Sequence, residues 1–210
     1  QNGLPKSFLG VQWLPKKSFS SKVNDKIVSI LTQLKDALIK QGFCGLANFD
    51  LLISGQNPLI LECNPRLSSA TPQIFSIPKL TNHNNPWQFY LQSFFKHPQH
   101  KIQAKTLPAS DFGGALMDVD VEQETKIKRL LPIGVYVWQK NKLIFVSGFI
   151  NDYNNNSGAI FLFHEWSGHE TLKPRETLYT VFSQQPLFEW HRGSLNSLGL
   201  KIYRYLKRYN

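Results

Sequence analysis

Acidic and amide side chains that bind hard metal ions stand close together between residues 50 and 64. Glu62 and Asn64 are two positions apart, and Arg66 follows at the same interval, so in an extended strand these side chains share one face. Asp50 precedes Glu62 by about a dozen positions. Two carboxylates and an amide oxygen suit magnesium, which keeps several waters and is usually completed by substrate phosphates. The residue types therefore predict a magnesium site with Asp50, Glu62 and Asn64 as ligands.

Two strands joined by a tight turn must position these side chains. Residues 48–53 and 58–61 are strand-like apolar runs, and the residues between them, Ser-Gly-Gln-Asn-Pro, are turn formers. Antiparallel pairing would bring Asp50 opposite the end of the second strand that carries Glu62 and Asn64. Apolar residues at helical spacing predict a helix over about 22–40 in front of this hairpin, and Gly42 is expected to end it.

The segment from about residue 8 to 75 resembles the C-terminal lobe of the ATP-grasp superfamily, as in ligases similar to biotin carboxylase and carbamoyl-phosphate synthetase. In that family a helix leads through a Gly-x-x-Gly turn into an acidic strand, and Glu-x-Asn-x-Arg follows about a dozen residues later. This chain has Gly42 and Gly45 in the turn, Asp50 in the strand, and the motif from Glu62 to Arg66.

The resemblance implies a role for each of these side chains. Asp50, Glu62 and Asn64 would bind the magnesium ions that bridge the phosphates of ATP. Arg66 would be catalytic, facing the transferred phosphoryl group or the acyl phosphate. Two apolar neighbours would form the floor under the adenine ring, and these are Leu52 and Leu61.

By the same resemblance the chain is expected to be part of an ATP-dependent carboxylate-amine ligase with ATP and Mg2+ as cofactors. Its partners would be a small-molecule carboxylate and an amine, the carboxylate being activated as an acyl phosphate. The chain opens with Gln1 and contains Met117 as its single methionine. The lysine and the linker that hold ATP in the preceding lobe have no match here. We therefore expect this chain to lack an N-terminal ATP-binding lobe and to be inactive alone.

The predicted fold class is α+β, with an ATP-grasp C-terminal lobe over residues 1–100 and a β-rich unit with a terminal helix over 101–210. A short strand is predicted at 9–14. Alternating apolar residues predict further strands at 115–121, 134–138 and 142–146.

Composition agrees with a cytoplasmic enzyme. Hydrophobic residues make up 41% of the 210 positions, and no run approaches the ~18 apolar residues of a membrane-spanning helix. The start of the chain has no secretory pattern. Cys44 and Cys63 have neither zinc-site nor redox-pair neighbours, so we expect buried free thiols in a reducing compartment.

The net charge of +10 leaves other functions open. One alternative is a basic nucleic-acid-binding module, and another is a non-catalytic, ATP-grasp-like binding protein. The cations at the C-terminus, Lys201, Arg204, Lys207 and Arg208, accompany apolar residues at helical spacing, which favours the solvated side of a docked helix over a nucleic-acid helix. The polar face around Glu62 has a simple alternative too, in which it is only solvated and Arg66 pairs with Glu62.

The sequence His-Glu-Trp-Ser-Gly-His-Glu at 164–170 looks like a zinc motif, but its spacing is unsuitable. His164 and His169 are five positions apart, so they share a face neither in a helix nor in a strand. We predict no metal there.

Overall fold

The structure is a computed structural model that describes residues 9–14, 18–67, 90–91, 114–150, 152–153, 158–189 and 192–210. The chain is an α+β protein whose paired strands are antiparallel. It divides into two compact units, one formed by Gln1–Leu14 with Phe112–Asn210 and the other by Pro15–Asp111. In the described residues, no helix is long and apolar enough to span a membrane.

The Pro15–Asp111 unit contains a helix followed by a hairpin. Helix α1 covers Ser21–Lys40, as predicted to within one residue, and the Ser20 hydroxyl caps it by accepting from the Val23 amide. The helix ends where Gly42 takes a positive φ of 79°, which lets the amides of residues 42 and 43 return to the last carbonyls of the helix. Strands β2 (Asn48–Ser54) and β3 (Asn57–Asn64) then pair as the predicted hairpin.

The other unit is built on a six-stranded sheet in the order β1-β4-β10-β8-β6-β7. These strands are β1 (Gly10–Trp13), β4 (Gly114–Asp120), β6 (Gly134–Gln139), β7 (Lys142–Ser147), β8 (Ile160–Phe163) and β10 (Thr177–Ser183). The short strands β5 (Thr125–Lys126) and β9 (Thr171–Leu172) pair with each other. The strands predicted at 115–121, 134–138 and 142–146 are thus confirmed within a residue or two.

Helix α2 (Ser197–Tyr209) closes the core of this unit. Its Ile202 and Leu206 are fully buried among residues of the sheet such as Met117 and Leu162. This pattern confirms the predicted docked amphipathic helix, and burial of a single Leu or Ile side chain contributes about 1.5–3 kcal/mol.

Two expectations are wrong. The strand at Gly10–Trp13 was assigned to the lobe at 1–100, but it pairs with β4, and the Gln12 side chain accepts from the Phe188 amide. Local pattern defines a strand but not its partner, which here lies about a hundred residues away. Cys44 and Cys63 are free, as expected, but they are exposed rather than buried.

Several sequence features fall outside the described residues. One is the sequence Ser-Ser-Ala-Thr-Pro at 68–72, which predicts a small polar loop. Another is most of the aromatic stretch at 82–98, for which a short helix is predicted.

Candidate functional site

The β2–β3 hairpin sets the predicted ligands opposite one another. The strand register pairs Asp50 with Glu62 and, two residues further from the turn, Asn48 with Asn64. The sequence predicted this because a short turn joining two strand-like runs leaves little freedom of register.

Each carboxylate is held by an asparagine on its own strand. Asn48 Nδ2 donates to Asp50 Oδ1 over 2.9 Å, and Asn64 Nδ2 donates to Glu62 Oε1 over 2.7 Å. Both bonds join residues two apart, so they show that each asparagine shares a face with its carboxylate. Because the amide nitrogens face the carboxylates, the second carboxylate oxygens and the amide oxygens remain as acceptors.

Placing two carboxylates in register on neighbouring strands is unfavourable in the absence of a cation. Like charges directly opposite each other destabilise an antiparallel pair, by up to about 1 kcal/mol. Asp50 is half-buried and Glu62 is exposed, so solvent weakens repulsion between the two carboxylates. In the described residues, neither carboxylate has a Lys, Arg or His ion-pair partner. A bound cation would turn this repulsion into attraction.

The donor set consists of oxygen atoms alone. Two carboxylates and one or two amide oxygens fit magnesium in chemistry and number, since magnesium accepts few protein ligands and completes its shell with water and phosphate. No group of three His, Cys, Asp or Glu side chains suited to a metal occurs in the part of the chain that the structure describes. A magnesium ion held by Asp50, Glu62 and Asn64 would therefore need water or another molecule to complete its shell.

A β-bulge separates the polar end of the hairpin from its apolar end. The register shifts between Asp50 and Leu51, whose partners are Glu62 and Ile60, so Leu61 is the extra residue. Leu61 is 64% exposed and Leu52 is 51% exposed. Both residues expected under the adenine ring are therefore open to solvent, although their contact with adenine remains a prediction.

Arg66 lies just beyond the strand. β3 ends at Asn64, and the Arg66 amide donates to the Asn64 carbonyl over 2.8 Å, which turns the chain at Pro65. Strand alternation therefore does not extend to Arg66. Its guanidinium donates to the Leu67 carbonyl, and within the described residues it makes no ion pair with Glu62. The simple alternative of a structural Arg66–Glu62 pair is absent from this structure.

The histidine-containing segment at 164–170 serves the fold. His164 Nε2 lies 3.1 Å from the Leu131 carbonyl, and its ring packs edge-on against Tyr179. The Glu170 carboxylate accepts from the Ser167 hydroxyl and from the amides of residues 167, 168 and 169. These hydrogen bonds, the Ser167 hydroxyl first, lower the pKa of Glu170 to about 2.

Sequence reasoning missed Asn48. It has the same parity as Asp50 and lies two positions before it, so the alternation rule that selected Glu62 and Asn64 would have found it. It was overlooked because the family motif begins at the acidic residue of that strand.

No protein-family model, curated protein or solved structure matches the chain. The function must therefore be argued from the geometry of the site.

Proposed function

We propose that residues 48–66 form the magnesium- and phosphate-binding part of an ATP-dependent ligase of the ATP-grasp type. The observation that carries the proposal is the register of Asp50 with Glu62, each carboxylate being oriented by an asparagine two residues away. A merely solvated strand face has no need to align two acids and fix both with amide donors.

In this proposal Asp50, Glu62 and the amide oxygen of Asn64 hold Mg2+, while Asn48 positions Asp50. When bound, Mg2+ supplies positive charge that offsets the charge on the ATP phosphates. The hydrogen bonds from Asn48 and Asn64 keep the carboxylates in place before substrate arrives, so less ordering is needed on binding.

Arg66 provides a second positive charge close to the same end of the hairpin. A guanidinium pairs with phosphate oxygens through two parallel hydrogen bonds, which suits a transferring phosphoryl group. The exposed Leu52 and Leu61 offer apolar surface on which a purine ring can pack. This contact is favourable because it removes apolar surface from water.

The reaction is transfer of the γ-phosphoryl group of ATP to a carboxylate. A carboxylate oxygen attacks the γ-phosphorus, the bond to the β–γ bridging oxygen breaks, and ADP leaves. An amine then attacks the acyl carbon and loses a proton, and inorganic phosphate departs. Positioning and electrostatic stabilisation supply most of the rate in such phosphoryl transfers.

The test is isothermal titration of the intact enzyme with ATP in excess Mg2+. Glu62→Gln keeps the side-chain volume and removes one charge, so it should weaken binding at least about tenfold, which corresponds to about 1.4 kcal/mol. Glu124→Gln is the matched control, because it removes an exposed carboxylate in the other unit and should leave binding unchanged. Equal affinities for wild type and Glu62→Gln would contradict the proposal.

Ligase chemistry has its own test in the intact enzyme. Hydroxylamine traps acyl phosphates as hydroxamates, so hydroxamate should form from a cognate carboxylate only with Mg2+ and ATP, and not in Glu62→Gln. Mg2+-dependent ATP binding without hydroxamate from any carboxylate offered would favour the non-catalytic binding protein.

A further inference from the structure

A cleft of about 360 Å³ lies between the β6–β7 hairpin and helix α2. Trp138 and Asn141 contribute from the hairpin. The helix side is formed by Lys201, Arg204, Tyr205, Arg208 and Tyr209. All of these residues belong to the unit that does not contain the Asp50–Glu62 site.

The three cations of the cleft form one row on α2. Lys201, Arg204 and Arg208 are three and four positions apart, so they follow one side of the helix, and all three are exposed. Within the described residues none of them forms an ion pair, whereas Lys207 lies 3.1 Å from Glu122. In the part of the chain that the structure describes, the row therefore carries positive charge without a side-chain counterion.

Both segments that build the cleft lack acidic residues. Between positions 125 and 151 the sequence has five Lys or Arg residues and no Asp or Glu, and between 190 and 210 it again has five and none. A helix that is only solvated usually carries both signs, so this bias points to an anionic ligand.

Aromatic rings lie beside the cations. Tyr205 packs edge-on against Trp138 with ring centres 5.7 Å apart, and Tyr209 follows with its centre 6.0 Å from that of Tyr205. Arg129 lies over the Tyr209 ring, 4.6 Å from its centre. The three rings are half-buried, so each is held in place and still reaches the cleft.

We propose that this cleft binds single-stranded nucleic acid. The row of Lys201, Arg204 and Arg208 would contact successive phosphates, and a base would stack on the Trp138–Tyr205 side. Proteins that bind single-stranded nucleic acid commonly combine a positively charged groove with aromatic side chains. The cations contact the charged phosphates, and any base can stack on the rings because every base has a π-face. In a duplex the faces of the bases are stacked on each other, and an acidic peptide offers charge without bases, so neither would use both features of the cleft.

Fluorescence anisotropy with a labelled twelve-residue oligothymidylate at low salt tests the proposal. We expect dissociation constants of about 10⁻⁶–10⁻⁴ M at physiological salt, as for binding without sequence preference, and tighter binding at low salt. Three phosphate contacts predict a slope of about −2 for log K against log salt, from −0.7 per contact. The triple variant K201Q/R204Q/R208Q should bind at least about tenfold more weakly and lose most of this slope.

A second triple variant, K22Q/K35Q/K40Q, is the matched control. It removes three exposed cations from α1 and changes the net charge equally, so binding within twofold of wild type is expected. Thermal melting should confirm that both variants fold. If the two triple variants lost affinity for the oligonucleotide equally, the loss would reflect net charge and not the cleft, which would overturn the proposal.

An abasic oligomer of the same length separates stacking from charge. Because stacking contributes about 1–3 kcal/mol per base, the abasic strand should bind at least about fivefold more weakly than oligothymidylate. A duplex should also bind more weakly than the single strand. Affinity for the abasic strand or the duplex equal to that for oligothymidylate would overturn the assignment.

Discussion

Asp50 and Glu62 are paired across two strands, and an asparagine two residues away donates a hydrogen bond to each carboxylate. Like charges placed opposite each other on paired strands are destabilising. When the fold holds two carboxylates close together, their repulsion raises the free energy of the cation-free protein. A bound cation offsets this repulsion. Removal of one of the two charges should therefore raise the stability of the metal-free protein and weaken its binding of Mg2+ and ATP.

Glu62→Gln tests this opposition directly. In metal-free buffer it should stabilise the protein by up to about 1 kcal/mol, since a cross-strand like-charge pair disappears. That gain corresponds to a rise of about 2–4 °C in the melting temperature of a chain of this size. Calorimetry with EDTA measures it, with Glu124→Gln as control. A lower melting temperature would show that Glu62 is a structural residue.

Glu170 gives a second prediction, on acid stability. Its pKa is about 2 in the folded protein and ordinarily near 4.5, so the folded state favours the carboxylate. The contribution to stability is complete above pH 4.5 and is lost as the pH falls through 2. Glu170→Gln should make the melting temperature less dependent on pH in this range. An unchanged pH profile would contradict the role of Glu170 in the loop.

Helix α2 lies close to the backbone of the loop around Leu187 at Gly199. A Cβ atom at this position would lie 2.3 Å from the Leu187 carbonyl oxygen. Glycine is normally a poor helix residue, about 1 kcal/mol worse than alanine, so its presence reflects packing and not propensity.

Gly199→Ala should therefore destabilise the protein despite the better helix propensity, by about 1–3 kcal/mol, because the helix must move away from backbone atoms. Chemical denaturation measures the change. Gly148→Ala is the control, since a Cβ there meets no atom within 4 Å. Stabilisation by Gly199→Ala would mean that the helix and the Leu187 loop lie further apart.

The elements show how much a sequence can predict. Helix α1 and the hairpin followed from local signals: apolar spacing, Gly42 and the turn formers around Gly55. The bulge at Leu61 did not, because a single extra residue depends on pairing details that the pattern does not contain. Exposure of Cys44 and Cys63 also depends on what packs over them, which local sequence does not specify.

Over the whole molecule, residues near the start of the chain contact residues about a hundred positions later. β1 pairs with β4 from a distant part of the sequence, and the Asp118 amide donates to the Leu9 carbonyl. Local sequence patterns do not predict such contacts, because they carry no information on which distant segment a strand pairs with. The same holds for the cleft, where Trp138 of β6 and Arg204 of α2 come together because α2 packs against the sheet that contains β6.

Removal of residues 1–14 should destabilise the unit formed with Phe112–Asn210. The loss includes a strand's hydrogen bonds, each worth about 0.5–1.5 kcal/mol, and leaves the β4 edge unpaired. Removal of residues 1–8 keeps β1, so the resulting protein should melt at a higher temperature than the one that lacks residues 1–14. Equal melting of the two truncated proteins would show that β1 is dispensable.

We propose that the β2–β3 hairpin binds the divalent cation that accompanies ATP. Mn2+ is a paramagnetic substitute for Mg2+ and broadens the NMR signals of nearby amides. With ATP and substoichiometric Mn2+, the signals of residues 48–50 and 62–66 should broaden first in the wild type, and this broadening should be lost in Glu62→Gln but kept in Glu124→Gln. Broadening centred elsewhere, or unchanged at the hairpin in Glu62→Gln, would contradict the account.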